Sequence, residues 1–165
     1  MTDNLSVTLS FEEGMAAVVQ GAVQMMRAIQ QGMVGRDHGG TSGRSMRERW
    51  AQAIHGQMCE HAAAKALDNY PVASVSGIRG DDPGGWAIRG TPWNDGCLIV
   101  NGSELPAMAD SRFLLVTGHW PSFRVVGWIS GAEVARDEWW RANERPPSWW
   151  VPQSALKPIQ KEQAA

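Results

Sequence analysis

Residues 112–129, RFLLVTGHWPSFRVVGWI, decide the fold. Arg112 to Thr117 and Phe123 to Ile129 are two runs rich in β-branched and aromatic residues, with Pro121 in the turn between them, and this composition predicts two strands. Upstream, Trp86-Ala87-Ile88-Arg89 alternates as a strand does, Trp86 and Ile88 on one side, Ala87 and Arg89 on the other. Asn94-Asp95-Gly96 reads as a hairpin-type turn leading into a strand at Cys97-Leu98-Ile99-Val100. Val72 to Arg79 predicts another short strand beyond Pro71, and Asp81-Asp82-Pro83-Gly84-Gly85 a turn. Downstream, Gly131 to Arg141 predicts a short helix. Arg145-Pro146-Pro147 breaks the chain, and Trp149-Trp150-Val151 returns as an edge strand or packed segment.

Helical periodicity occupies the N-terminal part. Ser10-Phe11-Glu12-Glu13 is a capping box, a serine followed three residues on by a glutamate. Phe11, Met15, Val18, Ala22, Met26, Ile29 and Met33 then recur every three or four residues, opposite Gln20, Gln24, Arg27 and Gln31. They mark one face of an amphipathic helix over about residues 10–33, a face that fits a core or a partner contact, including a second copy of the chain. A glycine-rich loop over 34–44 follows. A second helix is predicted from Ser45 to Asp68, with Met46, Trp50, Ala53, Gln57, Glu60, Ala64 and Leu67 in one line. Glu60 is the only charged member of that line. On an inward face it must be paired, protonated or bound to a metal; on a boundary it reaches water.

Two helices followed by short strands predict an α+β protein: two N-terminal helices packed on a small mixed sheet, with a short C-terminal helix. The 165 residues suit one domain, with a core over about 45–158 and a frayed tail over 159–165. A hydrophobic share of 43% against 19% charged residues describes a globular chain. Two cysteines cannot build a disulfide framework, and neither a leader pattern nor a run of about 18 apolar residues is visible, so a cytoplasmic protein without a membrane partner is expected. The net charge of −2 argues against a generic nucleic-acid coat. Charge is nonetheless uneven. Residues 51–110 carry seven acids and three bases, whereas 111–165 carry seven bases, five acids and six of the nine tryptophans. That layout suits a metal site beside a substrate-holding surface, or ordinary surface scatter. Trp140, Arg141, Arg145 and Trp149 are the candidates for holding nucleic acid or a protein partner, because rings interleaved with arginines stack bases and bind phosphates.

Glu60 on a helix, Asp82 before a strand and Arg89 within it form an ordered set. Around them, Gly56 lies four before Glu60, Ala64-Lys65-Ala66-Leu67 follows it, and Asp82 lies seven before Arg89. Further on come Cys97 to Val100, Phe113 to Gly118, Phe123 to Ile129, Glu138-Trp139-Trp140, Pro147 and Val151 to Pro158. Over about residues 50–158 the chain resembles a group of small bacteriophage proteins of the PD-(D/E)XK nuclease superfamily. The resemblance implies a restriction-endonuclease-like core and metal-dependent cleavage of a phosphodiester in nucleic acid. Glu60 and Asp82 would hold Mg²⁺ or Mn²⁺, and Arg89 would bind the scissile phosphate. The superfamily carries an acid or amide two residues before the strand cation, and here that position is Ala87; Asp81 and Glu104 are the nearby acids able to substitute. Arginine in place of lysine keeps the charge but cannot serve as a base. The alternative is a catalytically inactive descendant that binds nucleic acid or a host protein, for example as an inhibitor of a host defence nuclease. His55 and Cys59, four apart, have a zinc-compatible spacing with Cys97 as a third ligand, but no fourth is evident.

Overall fold

The computed structural model describes residues 5–33, 44–68, 85–144 and 146–159. The predicted strand at 72–79, and with it Asp81, Asp82 and Arg145, lies outside the described residues. What is described is α+β, as expected. The order is β1 (Leu5–Thr8), α1 (Phe11–Gln30), α2 (Met46–Ala66), β2 (Trp86–Thr91), β3 (Leu98–Asn101), β4 (Arg112–His119), β5 (Ser122–Ser130), α3 (Gly131–Val134), β6 (Trp140–Arg141) and β7 (Ser148–Val151).

Both long helices start where serine caps them. Ser10 accepts from the Glu13 N–H and Ser45 from the Glu48 N–H, while each glutamate side chain accepts from the capping residue's own N–H. Each box satisfies two backbone donors that the first turn would otherwise leave open.

Among the described residues the strands form two sheets where one was expected. The first is four-stranded and mixed, in the order β1-β5-β4-β2, with β2 parallel to β4 and the other pairs antiparallel. The second is antiparallel, in the order β3-β7-β6. The turn at 94–96 therefore does not close a β2–β3 hairpin. The chain leaves the first sheet there, and Arg124 and Gln153 hold the turn by donating to the Asn94 carbonyl at 2.6 and 2.8 Å.

One face of the first sheet packs on α2 through Trp86, Ile88, Leu114, Val116, Phe123 and Val125, which meet Cys59, Ala62, Ala63 and Leu67. The other face packs on the second sheet through Ala87, Phe113, Leu115 and Ile129, which meet Leu98, Val100 and Val151. These two apolar layers, on opposite faces of one sheet, follow from the strict alternation of β2 and β4.

α1 packs on α2 rather than on the sheet. The buried residues of α1 are Gly14, Ala17, Gly21 and Met25. Much of the apolar line read from the sequence faces outward instead: Phe11, Met15, Met26 and Ile29 are exposed, and Val18, Ala22 and Met33 are half-buried. The reason is the close approach of α2, whose Ile54 backbone leaves no room for a β-carbon at Gly21. His61 joins Gln20 across this interface at 2.6 Å, and Lys65 reaches both Glu13 and the Thr8 carbonyl, tying β1 to the helix pair.

The C-terminal helix expected over 131–141 is shorter. It ends at Val134, and a 3₁₀ turn and β6 follow. Adjacent tryptophans explain the break. Trp139 is buried in the second core while Trp140 stacks on Trp149, and an extended step sends the two rings opposite ways. No helix among the described residues is long and apolar enough to cross a membrane.

Candidate functional site

The edge strand β2 opens onto a cleft of about 540 Å³ between the helix pair and the second sheet. Glu60 from α2, Arg89 from β2 and Glu104 from the turn after β3 all line it. Small residues set this arrangement. A β-carbon on Gly90 would lie 2.5 Å from the Cys59 sulfur, so α2 sits flush on β2 at that point. Glu60 follows Cys59 and Arg89 precedes Gly90, and the contact brings both to the cleft wall. Gly56, one turn before Glu60, also lines the cleft and has open space where its β-carbon would be.

Arg89 Nη2 donates to Glu104 Oε1, and Arg89 Nη1 to the Ile88 carbonyl at 3.0 Å. The guanidinium lies 5.1 Å from the centre of the Phe113 ring. Both partners of the ion pair are largely shielded, with side chains 22% and 12% exposed. Glu104 thus folds back to Arg89 at the start of a 3₁₀ turn anchored by buried Leu105. Of the acids weighed as substitutes for the missing one, it is the described acid that reaches the cleft. Ala87 shares a strand face with Arg89, as expected, and that face is apolar: Ala87 is packed in the second core. Glu60 Oε2 accepts from Gln57 Nε2 at 2.9 Å.

The cleft also contains residues that the sequence reading passed over. Arg44 and Arg49 line it from the start of α2, joined to each other through the Arg44 carbonyl, and Arg44 also donates to Gln52. Among the described residues, three arginines against two glutamates, with Gln24, Gln52, Gln57 and Asn101 among the other walls, make a polar cleft with a net positive charge. The signal was present in Arg44-Ser-Met-Arg47-Glu-Arg49, a basic cluster at a helix start. Trp93, 71% exposed, lies in the loop between Thr91 and Cys97, both of which line the cleft.

The described candidates of the C-terminal segment fall elsewhere. Trp140 and Trp149 pack on one another with centroids 4.5 Å apart, and Gly102 abuts Trp140. Arg141 is exposed and donates to the carbonyls of Glu138 and Trp140. None of these three lines the cleft. His55 binds the Gly118 carbonyl at 2.8 Å with Nε2 and lies 3.8 Å from Cys59. Burial, reinforced by the neighbouring Glu60 charge, pushes the Cys59 thiol up to about 12, so it is neither a nucleophile nor a ready ligand. Among the described residues no three histidine, cysteine, aspartate or glutamate side chains meet as a metal-binding group. No protein-family model, curated protein or solved structure matches the chain.

Proposed function

We propose that the protein binds nucleic acid in this cleft and cleaves its phosphodiester backbone with the help of a divalent cation, on a restriction-endonuclease-like core over about residues 45–158. The observation that carries the reading is that Glu60, Arg89 and Glu104, from three separate stretches of chain, line one cleft together with Arg44 and Arg49. The donor set fits Mg²⁺ or Mn²⁺, which are held by one or two carboxylates while water and substrate phosphates complete the shell. Glu60 and Glu104 are the described residues that would hold it. Such an ion supplies charge neutralisation at the phosphate and a more acidic water. Arg89, fixed by Glu104 and the Ile88 carbonyl, binds a phosphate oxygen as a preoriented fork. It holds charge and moves no proton, because a guanidinium stays protonated. Gln57 orients the Glu60 carboxylate, and Arg44 and Arg49 take flanking phosphates along the helix pair.

A second reading, a binding protein without catalysis, draws on Ala87. Its methyl group lies in the apolar core where the superfamily presents an acid, and Glu104 is already engaged with Arg89. Incubating end-labelled single- and double-stranded DNA and RNA with the protein in Mg²⁺, Mn²⁺ or EDTA separates the two. The expected result is cleavage in Mg²⁺ or Mn²⁺ that drops at least about 100-fold in Glu60→Gln and in Arg89→Ala, the usual scale for removing one catalytic group. Retention of the labelled strands without cleavage in any metal supports the second reading. Neither binding nor cleavage removes both.

A further inference from the structure

α1 is apolar on two sides, and among the described residues only one of them is covered. Gly14, Ala17, Gly21 and Met25 face α2. Beside them runs a second stripe of Phe11, Met15, Val19, Ala22, Met26 and Ile29, of which Phe11 and Met26 are 66% and 62% exposed. A contiguous apolar stripe along a 20-residue helix is the kind of surface that marks an interface. From Met15 onward its members alternate four and three apart, the spacing of the seam between paired helices.

The stripe is also nearly symmetric about the middle of the helix, between Gln20 and Gly21. Val19 mirrors Ala22, Met15 mirrors Met26, and Phe11 falls opposite the Ile29–Gln30 turn. A two-fold, antiparallel pairing of two such helices therefore seats each large side chain on a large one and each small one on a small one, as a self-complementary interface requires.

Charge selects the same arrangement. Glu12 and Arg27 lie on the same flank of the stripe, the one away from α2, and a two-fold axis maps each flank onto itself. In the antiparallel pair, Glu12 of one copy comes within about 3 Å along the axis of Arg27 of the other, given a rise of about 1.5 Å per residue. Opposite macrodipole ends also meet. A parallel pair, whose two-fold axis runs along the helices, exchanges the two flanks and leaves Glu12 and Arg27 at different heights, without this contact. We propose that the chain forms a homodimer through α1, the two helices antiparallel, with Glu12 of each copy facing Arg27 of the other. This inference stands apart from the function of the cleft.

Sedimentation velocity on the full chain tests it. Wild type is expected at twice the chain mass at micromolar concentration. Met26→Glu, at an exposed position, is expected to run as a monomer with unchanged far-UV circular dichroism. Glu12→Arg and Arg27→Glu are each expected to weaken the dimer at least about tenfold, and the double exchange Glu12→Arg/Arg27→Glu to restore it. A monomeric wild type overturns the proposal, as does a dimer indifferent to Met26→Glu. Failure of the double exchange to restore the dimer overturns the antiparallel arrangement.

Discussion

Cys59 and Gly90 show how single side chains position the cleft. The sulfur fills the space that any β-carbon at position 90 would need, so the helix and the edge strand meet without a spacer. The same contact buries Cys59 completely, and burial holds its thiol at about 12. A thiol at that value is protonated throughout the range in which alkylating agents are used, and the thiolate is the reactive form. Cys97 is partly exposed on the cleft wall. Native protein treated with iodoacetamide at pH 8 is therefore expected to gain one label, at Cys97, as read by peptide mass spectrometry. The second label, at Cys59, is expected only in denaturant. Labelling of both thiols in the native protein would mean that α2 does not sit flush on β2. The Arg89–Glu104 pair works on the same scale. Removing Glu104 leaves a shielded guanidinium short of its acceptor, and an unsatisfied buried charged group costs more than the bond itself contributes.

Two glycines in the helices have opposite roles, and an alanine at each distinguishes them. At Gly21 a β-carbon would come within 2.7 Å of the Ile54 backbone, which cannot yield as a side-chain tip can. Gly21→Ala is expected to cost about 1–3 kcal/mol in urea unfolding, the usual penalty for overpacking. At Gly56 the same β-carbon meets open space in the cleft wall. Gly56→Ala is expected to stabilise the fold by about 0.5–1 kcal/mol, because alanine loses less backbone entropy in a helix. If both substitutions shift stability alike, the α1–α2 contact is not where the structure places it. Gly21 also explains what was legible in the sequence. Both helices and the Ser10 capping box could be read, because they depend on residues three and four apart; the Ser45–Glu48 box was passed over. The orientation of α1 could not, since periodicity marks an apolar stripe without saying which stripe another backbone covers. The small track of Gly14, Ala17 and Gly21 was the one covered. β4 and β5 were legible for the same local reason, being neighbours joined by a tight turn at Pro121. The parallel pairing of β2 with β4 was not, because it joins strands separated by β3 and its loops. β1, four residues at a sheet edge, has too short a pattern to be read.

The whole molecule presents its cationic cleft on a chain whose net charge is −2. On the proposed reading, a polyanion would be repelled globally and attracted locally, and its binding would depend on a few contacts rather than on a general basic field. Glu60 and Arg89 could be named from the sequence because a helix face and a strand face carry them; Glu104 entered only as a substitute, because a turn had to fold back to bring it there. Arg44 and Arg49 stood in a legible basic cluster, but that they face the cleft emerged only with the helix pair assembled over it. The number of arginines sets a quantity that salt can measure. Each phosphate neutralised on a single strand releases about 0.7 of a counterion, and on B-form DNA about 0.9. If Arg44, Arg49 and Arg89 each meet one phosphate, the logarithm of the association constant falls with the logarithm of salt with a slope between about −2 and −3. Fluorescence anisotropy with a labelled oligonucleotide, in Ca²⁺ to hold the substrate intact, reads that slope between 50 and 300 mM salt. Replacing Arg44 and Arg49 by alanine is expected to bring the slope to about −1 and to weaken binding across sequences alike, since phosphate contacts carry no sequence information. A slope unchanged in that double variant would move the nucleic acid off the cleft, toward the Arg141, Trp140 and Trp149 surface. A slope near zero in the wild type would remove phosphate recognition by the cleft altogether, and with it the nuclease reading.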